Sequence, residues 1–224
     1  MRLFLTGGHG EIGAAIRSRF ERGGYAVVAP RSAELDLSCV DAIPGYVAAQ
    51  PEGFDAFVHC AGFNTPKALA DVPVEELERS FRVNTLSFIR ICQLLAPRFD
   101  ARGGGHVLGI SSIYGVISRE KRLAYSTAKH AMIGAVRSLA LELGPRGVLV
   151  NALSPGFIDT ALTRRNNDEA TVRGLAAATA LRRLGTPDDM AEAAFFLCGP
   201  ANRYITGQNV VADGGYTAGA FQPG

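Results

Sequence analysis

The strongest constraint on the fold lies at the start of the chain. A short apolar run at residues 2–5 ends in the glycine-rich turn TGGHGEIG, and apolar residues then recur at helical spacing as Ile12, Ala15, Ile16 and Phe20. This order of strand, glycine turn and helix is typical of the first unit of an α/β protein. Glycine lets the backbone turn tightly and approach a ligand closely, and a helix N-terminus offers free N–H groups to a phosphate.

Strand and helix patterns alternate along the rest of the chain. This alternation predicts a doubly wound parallel sheet of the Rossmann type, in three α/β/α layers with right-handed crossovers, and a single domain over residues 1–224. We predict strands at about 2–6, 25–29, 34–37, 56–60, 106–111, 148–153 and 208–212, helices at about 11–22, 39–50, 74–82, 84–100, 125–143 and 187–198, and a substrate loop or lid at about 156–185. The link at residues 30–33 is too short for a crossover helix, which needs at least ~10 residues.

Composition excludes several classes of protein. The net charge of +2 is too small, and the basic residues too scattered, to indicate a nucleic-acid surface. The four cysteines and four histidines show no ligand spacing, so we expect no metal and a reduced, cytoplasmic protein. No apolar run approaches the ~20 residues of a membrane span. The first predicted strand starts at residue 2, so we expect no signal peptide.

Tyr125 and Lys129, in the run AYSTAKHAMIGAVRSLALEL, are a second informative feature. They are four residues apart at the start of a predicted helix, so their side chains share one face. An ammonium beside a phenol favours the phenolate and lowers the pKa of a tyrosine below its usual value of about 10. The pair can therefore act as one acid, or it can be a surface tyrosine and a solvated lysine on an ordinary helix.

Two other segments stop at the edge of the predicted sheet. Ser111 and Ser112 lie at the end of one strand, and Pro155 and Gly156 follow another. Ligands of open α/β sheets bind at the carboxyl ends of the strands. A serine there either donates a hydrogen bond to a developing oxyanion or only forms a turn. Because neighbouring strand residues face opposite sides, just one of the two serines can face Tyr125.

These motifs follow one another as they do in the short-chain dehydrogenase/reductase family, which the sequence resembles over nearly its whole length. The series is TGGHGEIG, HCAG, VNTLS, GISS, YSTAK, NALSPG and ITGQNVVADGG, and the separation of Ser112 and Tyr125 also matches. The resemblance implies hydride transfer between a nicotinamide cofactor and a small-molecule carbonyl or alcohol, similar to that of 3-oxoacyl reductases. Tyr125 would exchange a proton with the substrate oxygen, Ser112 would steady that oxygen, and Lys129 would lower the pKa of the tyrosine. Asn84 matches a family asparagine that holds a water beside the lysine.

The resemblance also assigns residues to the cofactor. Asp36 would contact the adenine and Thr160 the carboxamide. Pro30 and Arg31 stand where a carboxylate would bind the ribose and repel a 2′-phosphate, and arginine suits a phosphate instead. We therefore predict NADP(H) in preference to NAD(H). The predicted cofactor-binding residues are Thr6, Gly7, His9, Gly10, Ile12, Gly13, Arg31, Asp36, Leu37, Cys60, Ala61, Gly62, Tyr125, Lys129, Pro155, Gly156, Ile158 and Thr160.

Two motifs depart from the family pattern. Glu11 replaces the middle glycine of TGxxxGxG and Gly10 stands one residue earlier, a spacing similar to that of the sugar-nucleotide-modifying branch. We expect Glu11 to face outward at the start of its helix, because a carboxylate near a pyrophosphate would be unfavourable. His59 and Cys60 replace both asparagines of NNAG, which leaves open the role that the asparagines have.

Other functions and assemblies remain open at this stage. The glycine spacing fits a nucleotide-sugar epimerase or dehydratase, and a non-catalytic dinucleotide sensor is a further alternative. The resemblance implies a homodimer or homotetramer formed through the Tyr125 helix, in which Met132 and its neighbours either provide the contact or pack on the sheet. The predicted lid carries Arg164 and Arg165, which are either solvated or mark an acidic substrate.

Overall fold

The computed structural model describes residues 1–50 and 53–219. In this part of the chain, six parallel strands form one sheet in the order β2-β1-β3-β4-β5-β6. The strands are β1 (Arg2–Thr6), β2 (Ala26–Val28), β3 (Ala56–His59), β4 (Gly105–Ile110), β5 (Val148–Pro155) and β6 (Asn209–Ala212). The helices are α1 (Glu11–Arg22), α2 (Ile43–Ala48), α3 (Val74–Phe81), α4 (Ser87–Asp100), α5 (Leu123–Leu143), α6 (Ala161–Asn166), α7 (Glu169–Ala177) and α8 (Pro187–Cys198). The predicted doubly wound α/β fold is confirmed; residues 51–52 and 220–224 of the predicted domain lie outside the described residues.

Helices cover both faces of the sheet because the strands are apolar on both sides. Along β1, Leu3 and Leu5 enter one core and Phe4 enters the other, as the alternation of side chains requires. The Phe4 core takes side chains from α2, α4 and α5, and the opposite core takes them from α1 and α8. Met132 of α5 is fully buried in the first of these cores, so it packs on the sheet rather than forming a free face.

The strand order reverses between β1 and β3. The chain passes from β1 to β2 on one side and then to β3 on the other side of β1. At the end of this pair, Thr6 lies in register with His59. A crevice opens outside the carboxyl ends of strands at such a switch point, where open α/β sheets bind their ligands.

The predicted strand at 34–37 is wrong, because this segment forms a turn and a loop. The N–H groups of Glu34 and Leu35 both donate to the carbonyl oxygen of Arg31, and the Asp36 carboxylate accepts from Ser38. Leu35 and Leu37 are buried in the core without pairing with a strand. The alternation of Leu35 and Leu37 thus reflects the packing of a loop on the core. The four residues 30–33 are too few to return the chain to the sheet as a further parallel strand.

The predicted lid contains the two short helices α6 and α7. Its ends meet, because Ile158 and Gly185 form a parallel β-bridge. The Asp159 N–H donates to the Gly185 carbonyl at 2.8 Å, and the Gly185 N–H donates to the Phe157 carbonyl at 2.9 Å. The segment is therefore a closed excursion from the end of β5. Among the helices in the described ranges, none is both long and apolar enough to span a membrane.

Candidate active site

A cleft of about 570 Å³ lies outside the carboxyl ends of β1 and β3. It brings together many of the predicted cofactor-binding residues with others that the sequence did not single out for this role. Its lining is Thr6, Gly7, His9, Gly10, Pro30, Arg31, Ser32, Leu35, Asp36, Leu37, Ala61, Gly62, Phe63, Arg79 and Val83. Two of the unexpected residues are Arg79 and Val83, which is the first residue of the VNTLS motif. Residues four apart on a helix share one face, so this spacing could have predicted Arg79 from the position of the motif.

The glycine turn is shaped by close contacts between backbones. Gly7 has a φ of +71°, and a Cβ on this residue would lie 2.5 Å from the Ala61 nitrogen. A Cβ on Gly13 would lie 2.0 Å from the Gly7 carbonyl oxygen. Only glycine fits at these two positions. Gly10 is the N-cap of α1, and no side chain caps this helix. The glycine turn and the N-terminus of α1 together fit the pyrophosphate of a dinucleotide, because a helix N-terminus stabilises negative charge.

Glu11 is exposed at the start of α1, as the sequence predicts, and its carboxylate also has a specific partner. Both of its carboxylate oxygens accept from the Ala161 N–H, at 2.9 and 3.1 Å. This N–H is one of the unpaired donors at the N-terminus of α6, and an acidic group is favoured there. Glu11 therefore joins the first helical residue after the glycine turn to the start of the lid.

The outer end of the cleft is formed by the loop that follows β2. A His9 ring nitrogen donates to the Ala29 carbonyl at 3.1 Å, which ties the glycine turn to the end of β2. The Arg31 N–H donates to the Glu34 carboxylate at 2.7 Å, and the Arg31 side chain lines the cleft. Hydrogen bonds from Ser38 lower the pKa of Asp36, and the charge of Arg79 lowers it further. Two arginines, Arg31 and Arg79, thus line the same cleft as Asp36.

His59 occupies the middle of the site and is fully buried. One ring nitrogen, Nε2, lies 3.1 Å from the Val83 carbonyl, and the other, Nδ1, lies 2.9 Å from the Thr6 hydroxyl. A carbonyl can only accept, so Nε2 carries the proton and Nδ1 accepts from Thr6. Burial lowers the pKa of His59 to about 3, which keeps the ring neutral. His59 therefore connects the ends of β1 and β3 to the segment before α4.

That segment is a π-helical turn, Arg82–Leu86, between α3 and α4. Its Asn84 is fully buried, and its amide donates to the carbonyls of Phe63 and Ser80 at 2.8 and 2.9 Å. The Asn84 Oδ1 accepts from the Phe63 N–H at 3.2 Å. Single π-helical turns are frequent at functional sites because they turn a side chain away from the regular helical ladder.

Lys129 lies close to Gly62, which lines the cleft. Its ammonium donates to the Ile110 carbonyl at 2.7 Å, and it lies 5.5 Å from the centre of the Tyr125 ring. A Cβ placed on Gly62 would lie 3.9 Å from the Lys129 Nζ and 3.2 Å from the Asn84 Oδ1. Lys129 and Asn84 therefore both lie close to the glycine that ends the HCAG motif.

The two serines after β4 have different partners. Ser111 is buried and donates to the Lys129 carbonyl at 3.2 Å, which fixes the start of α5. The Ser112 hydroxyl accepts from the Tyr114 N–H at 3.1 Å, and a hydrogen bond with Ser112 lowers the pKa of Tyr125. Because side chains alternate along a strand, Ser112 interacts with Tyr125, whereas Ser111 interacts with the backbone of α5.

The pKa of Tyr125 moves in the direction opposite to the expected one. Burial raises it to about 12, and this effect is larger than the lowering by Ser112 and by the charge of Arg122. Burial also lowers the pKa of Lys129 to about 8. Both shifts have the same physical cause, since a low-dielectric surrounding disfavours the charged form of each group. The phenol is therefore protonated at neutral pH.

The other predicted cofactor-binding residues do not line the cleft. Ile12 and Ile158 pack against one core, and Cys60 lies just behind the cleft, where burial raises its pKa to about 11. Gly156 follows Pro155 and packs against Asp213, the residue after β6. A Cβ on Gly156 would lie 2.6 Å from the Asp213 Cα, so only glycine allows this close approach. The Thr160 hydroxyl accepts from the Thr163 N–H and so caps α6. In the described residues, no group of three or more His, Cys, Asp or Glu could hold a metal ion.

The fold and this crevice define a dinucleotide-binding α/β protein. A family model described as Enoyl-(Acyl carrier protein) reductase matches residues 12–217. The chain therefore belongs to the short-chain dehydrogenase/reductase family of oxidoreductases.

Individual relatives agree with this assignment. The chain is 34% identical over 161 residues to a 7alpha-hydroxysteroid dehydrogenase of Escherichia coli, an alignment that covers 72% of this chain and 63% of that relative. It is 33% identical over 216 residues to the 3-oxoacyl-[acyl-carrier-protein] reductase FabG of Chlamydia trachomatis, covering 94% of this chain and 85% of the relative. Among solved structures, a 4-hydroxyisoleucine dehydrogenase mutant complexed with NADH and succinate superposes with a TM-score of 0.92 at 26% identity, covering 99% of this chain and 100% of the other.

Proposed function

We propose that this protein is an NADP-dependent oxidoreductase that interconverts a ketone and a secondary alcohol, in the manner of a 3-oxoacyl reductase. One observation carries the proposal: Asn84 and Lys129 lie close to Gly62, a glycine that lines the cleft, and Lys129 in turn lies next to the Tyr125 ring. Relatives that share the fold include a 3-oxoacyl reductase and a dehydrogenase complexed with NADH. A dinucleotide sensor would not require a buried phenol paired with a buried amine.

The residues of the site support a role in proton transfer. Tyr125 is the proton donor in reduction, because burial keeps its phenol protonated at neutral pH. Ser112 is placed to bind the substrate oxygen as charge develops on it. Lys129, whose pKa is lowered to about 8, can exchange a proton near neutral pH and return it towards Tyr125. Asn84 holds the neighbouring backbone in place. The nicotinamide, when bound, supplies or accepts the hydride.

The preference for NADP(H) over NAD(H) rests on the outer end of the cleft. Arg31 lines it, and no carboxylate follows β2 directly. A guanidinium binds a phosphate through a planar fork of donors, whereas a ribose hydroxyl needs an acceptor. Glu34 is engaged by the Arg31 N–H, so its carboxylate is held within the loop.

The catalytic proposal is tested by removing one hydroxyl. Tyr125→Phe should lower kcat for the reduction of a ketone panel with NADPH by about 10²- to 10⁴-fold, with the affinity for NADPH unchanged. Tyr204→Phe is the matched control, because this tyrosine is 97% exposed. Oxidation of NADPH by both variants at the parental rate would refute the assignment. Turnover without net oxidation of NADPH would instead indicate an epimerase-like reaction.

The cofactor proposal is tested at Arg31. Arg31→Ala should raise the Kd for NADPH about 10- to 100-fold and leave the Kd for NADH nearly unchanged, because one charge-assisted phosphate contact is lost. Arg17→Ala is the control, since Arg17 is paired with Glu21 on the exposed side of α1. Equal loss of affinity for both dinucleotides would show that Arg31 has no role in selection.

The remaining partners are also proposals. We propose a small-molecule substrate, a cytoplasmic location and a homodimer or homotetramer, in line with the four unpaired cysteines and the family resemblance. Since Met132 is buried under α5, a contact through this helix would have to use the opposite, outward side. Sedimentation equilibrium of the purified protein measures the assembly directly.

A further inference from the structure

Arg122 is a cation near Tyr125, and two of its guanidinium nitrogens have no hydrogen-bond partner among the described residues. It immediately precedes α5 and stands three residues before Tyr125. Its guanidinium atoms Nε and Nη1 are buried, and neither has a hydrogen-bond partner in the described part of the chain. The charge of Arg122 is near enough to Tyr125 to lower the pKa of the phenol.

Other positive groups surround the same point. The Arg122 guanidinium carbon lies 5.9 Å from the centre of the Tyr114 ring. A hydrogen bond to the Tyr114 hydroxyl raises the pKa of Arg119, so a second arginine lies against this ring. Lys129 is buried, and its Nζ lies 5.5 Å from the centre of the Tyr125 ring. Three positively charged side chains therefore lie near the rings of Tyr114 and Tyr125.

No carboxylate of the described residues forms an ion pair with Arg122. Glu76, which has a buried oxygen of its own, is paired with Lys67. Burying a guanidinium without a partner is costly, and the cost is removed when an anion binds it. A planar guanidinium matches a carboxylate particularly well, because its donors form a fork.

Three arginines of the lid have carboxylate partners of their own. Arg164 pairs with Asp159, and Arg183 pairs with Asp189. Arg173 pairs with Glu169 one helical turn away. These pairs are largely exposed and balance their own charge, which favours the view that these three arginines are solvated.

We propose that Arg122 binds a carboxylate of the substrate, so that the ketone reduced at Tyr125 is an oxo acid. The proposal rests on the reductase function proposed above and names the substrate class for it. Tyr114 and Arg119 form the rest of the anion-binding wall, Tyr114 through its ring and Arg119 through the hydroxyl of that ring. A neutral ketone of equal size has no carboxylate for Arg122 to bind.

Acid and ester pairs provide the test. The parent protein and Arg122→Met are assayed with NADPH on 3-oxobutanoate, 4-oxopentanoate and 5-oxohexanoate, and on their methyl esters. The parent should prefer at least one acid to its ester. Arg122→Met should lower kcat/KM for that acid about 10- to 100-fold, mainly through KM, and leave the ester within a few-fold, because the lost contact is a charge-assisted hydrogen bond. Arg122→Lys should recover part of the loss.

Arg165→Met is the control, because it removes an exposed lid arginine and should leave the ratio of acid to ester unchanged. Equal losses on acid and ester in Arg122→Met would overturn the proposal, since Arg122 would then act on Tyr125 alone. A parent that prefers the esters would overturn it as well. Unchanged NADPH affinity and circular dichroism confirm that each variant is folded.

A calorimetric titration separates this inference from the proposed function. The oxo acids are titrated into the parent and into Arg122→Met in the presence of NADP⁺, where no reduction occurs. Binding by the parent that is lost in the variant supports the anion site even if no compound is turned over. Failure of turnover alone therefore counts against the reductase function, and equal binding by both proteins counts against Arg122.

Discussion

At the scale of single residues, His59 shows how a departure from a family motif is accommodated. The ring replaces an asparagine and bonds the Thr6 hydroxyl on one side and the Val83 carbonyl on the other. These two bonds fix one neutral tautomer, because one partner can only accept. Burial lowers the pKa of the ring to about 3, so a proton would both charge a buried group and break the bond from Thr6.

The pH dependence of stability follows from this shift. The unfolded state binds a proton on His59 below its ordinary pKa of 6.5, and the folded state does so only near 3. The contribution of His59 is therefore complete above pH 6.5 and is lost as the pH falls towards 3, by up to about 1.4 kcal/mol per pH unit. Urea unfolding of the parent and of His59→Asn across this window measures the slope, which should be shallower in the variant.

His130→Gln is the control for this experiment. His130 is exposed on α5, and one ring nitrogen bonds the Ser126 carbonyl of the same helix. Its replacement should leave the slope of the parent unchanged. If His59→Asn and His130→Gln had equal slopes, the acid sensitivity of the protein would have to come from other groups.

At the scale of elements, the contact between Glu11 and Ala161 connects α1 to α6. Glu11 lies one residue after the N-cap of α1, and Ala161 is the first residue of α6. The same carboxylate is therefore near the N-termini of two helices, both of which favour a negative charge. This contact, together with the bridge between Ile158 and Gly185, holds the base of the lid against the glycine turn.

Removing the Glu11 carboxylate should loosen the start of the lid. In Glu11→Ala, amide hydrogen exchange at Ala161 should become about fivefold faster, because a capping interaction contributes roughly 1 kcal/mol. Exchange in β1 and β3 should not change. Glu21→Ala, at the other end of α1, removes an exposed carboxylate and is the control. Equal exchange at Ala161 in both variants would contradict a role for Glu11 in holding the lid.

At the scale of the whole molecule, one sheet separates two apolar cores. Phe20 of α1 is fully buried in one core and Phe88 of α4 in the other. The strands between them contribute side chains alternately to both sides. Loss of either core should therefore expose the other face of the same strands, which is the physical basis for predicting a single domain.

This prediction can be tested by unfolding. Phe20→Ala and Phe88→Ala should each lower the free energy of unfolding by about 3–5 kcal/mol, because each leaves a cavity in a packed core. Phe81→Ala is the control, since this side chain is 40% exposed. Fluorescence and circular dichroism should report one shared transition in every variant. Two separate transitions in either core variant would show that the two sides fold independently.

The local steps of the fold were predictable because their signals are local. The run into TGGHG and the helical spacing after it predict β1, the turn and α1, and the structure has all three. The same approach failed at 34–37, because apolar alternation describes which side chains are buried and not what they pair with. The short connection before this segment was the better guide, since it leaves no room for a crossover.

Geometry within the site was less predictable. The four-residue spacing placed Tyr125 and Lys129 on one face, and it also suggested a lowered phenol pKa. In the structure the pKa of Tyr125 is raised instead, because burial raises it more than Ser112 and Arg122 lower it. Glu11 is exposed at the helix start, as expected, but its carboxylate also binds a residue 150 positions away. No pattern within α1 carries information about that partner.

The sequence by itself determined the glycine turn and the alternation of the six strands with most of the helices, because these features depend on neighbours along the chain. Tertiary structure alone decided the neutral tautomer of His59 and the contact of Glu11 with the lid. It also left two guanidinium nitrogens of Arg122 without a hydrogen-bond partner among the described residues. Each of these depends on burial and on residues far away in the chain. The free energy of a charged or polar group is set by the atoms that surround it after folding.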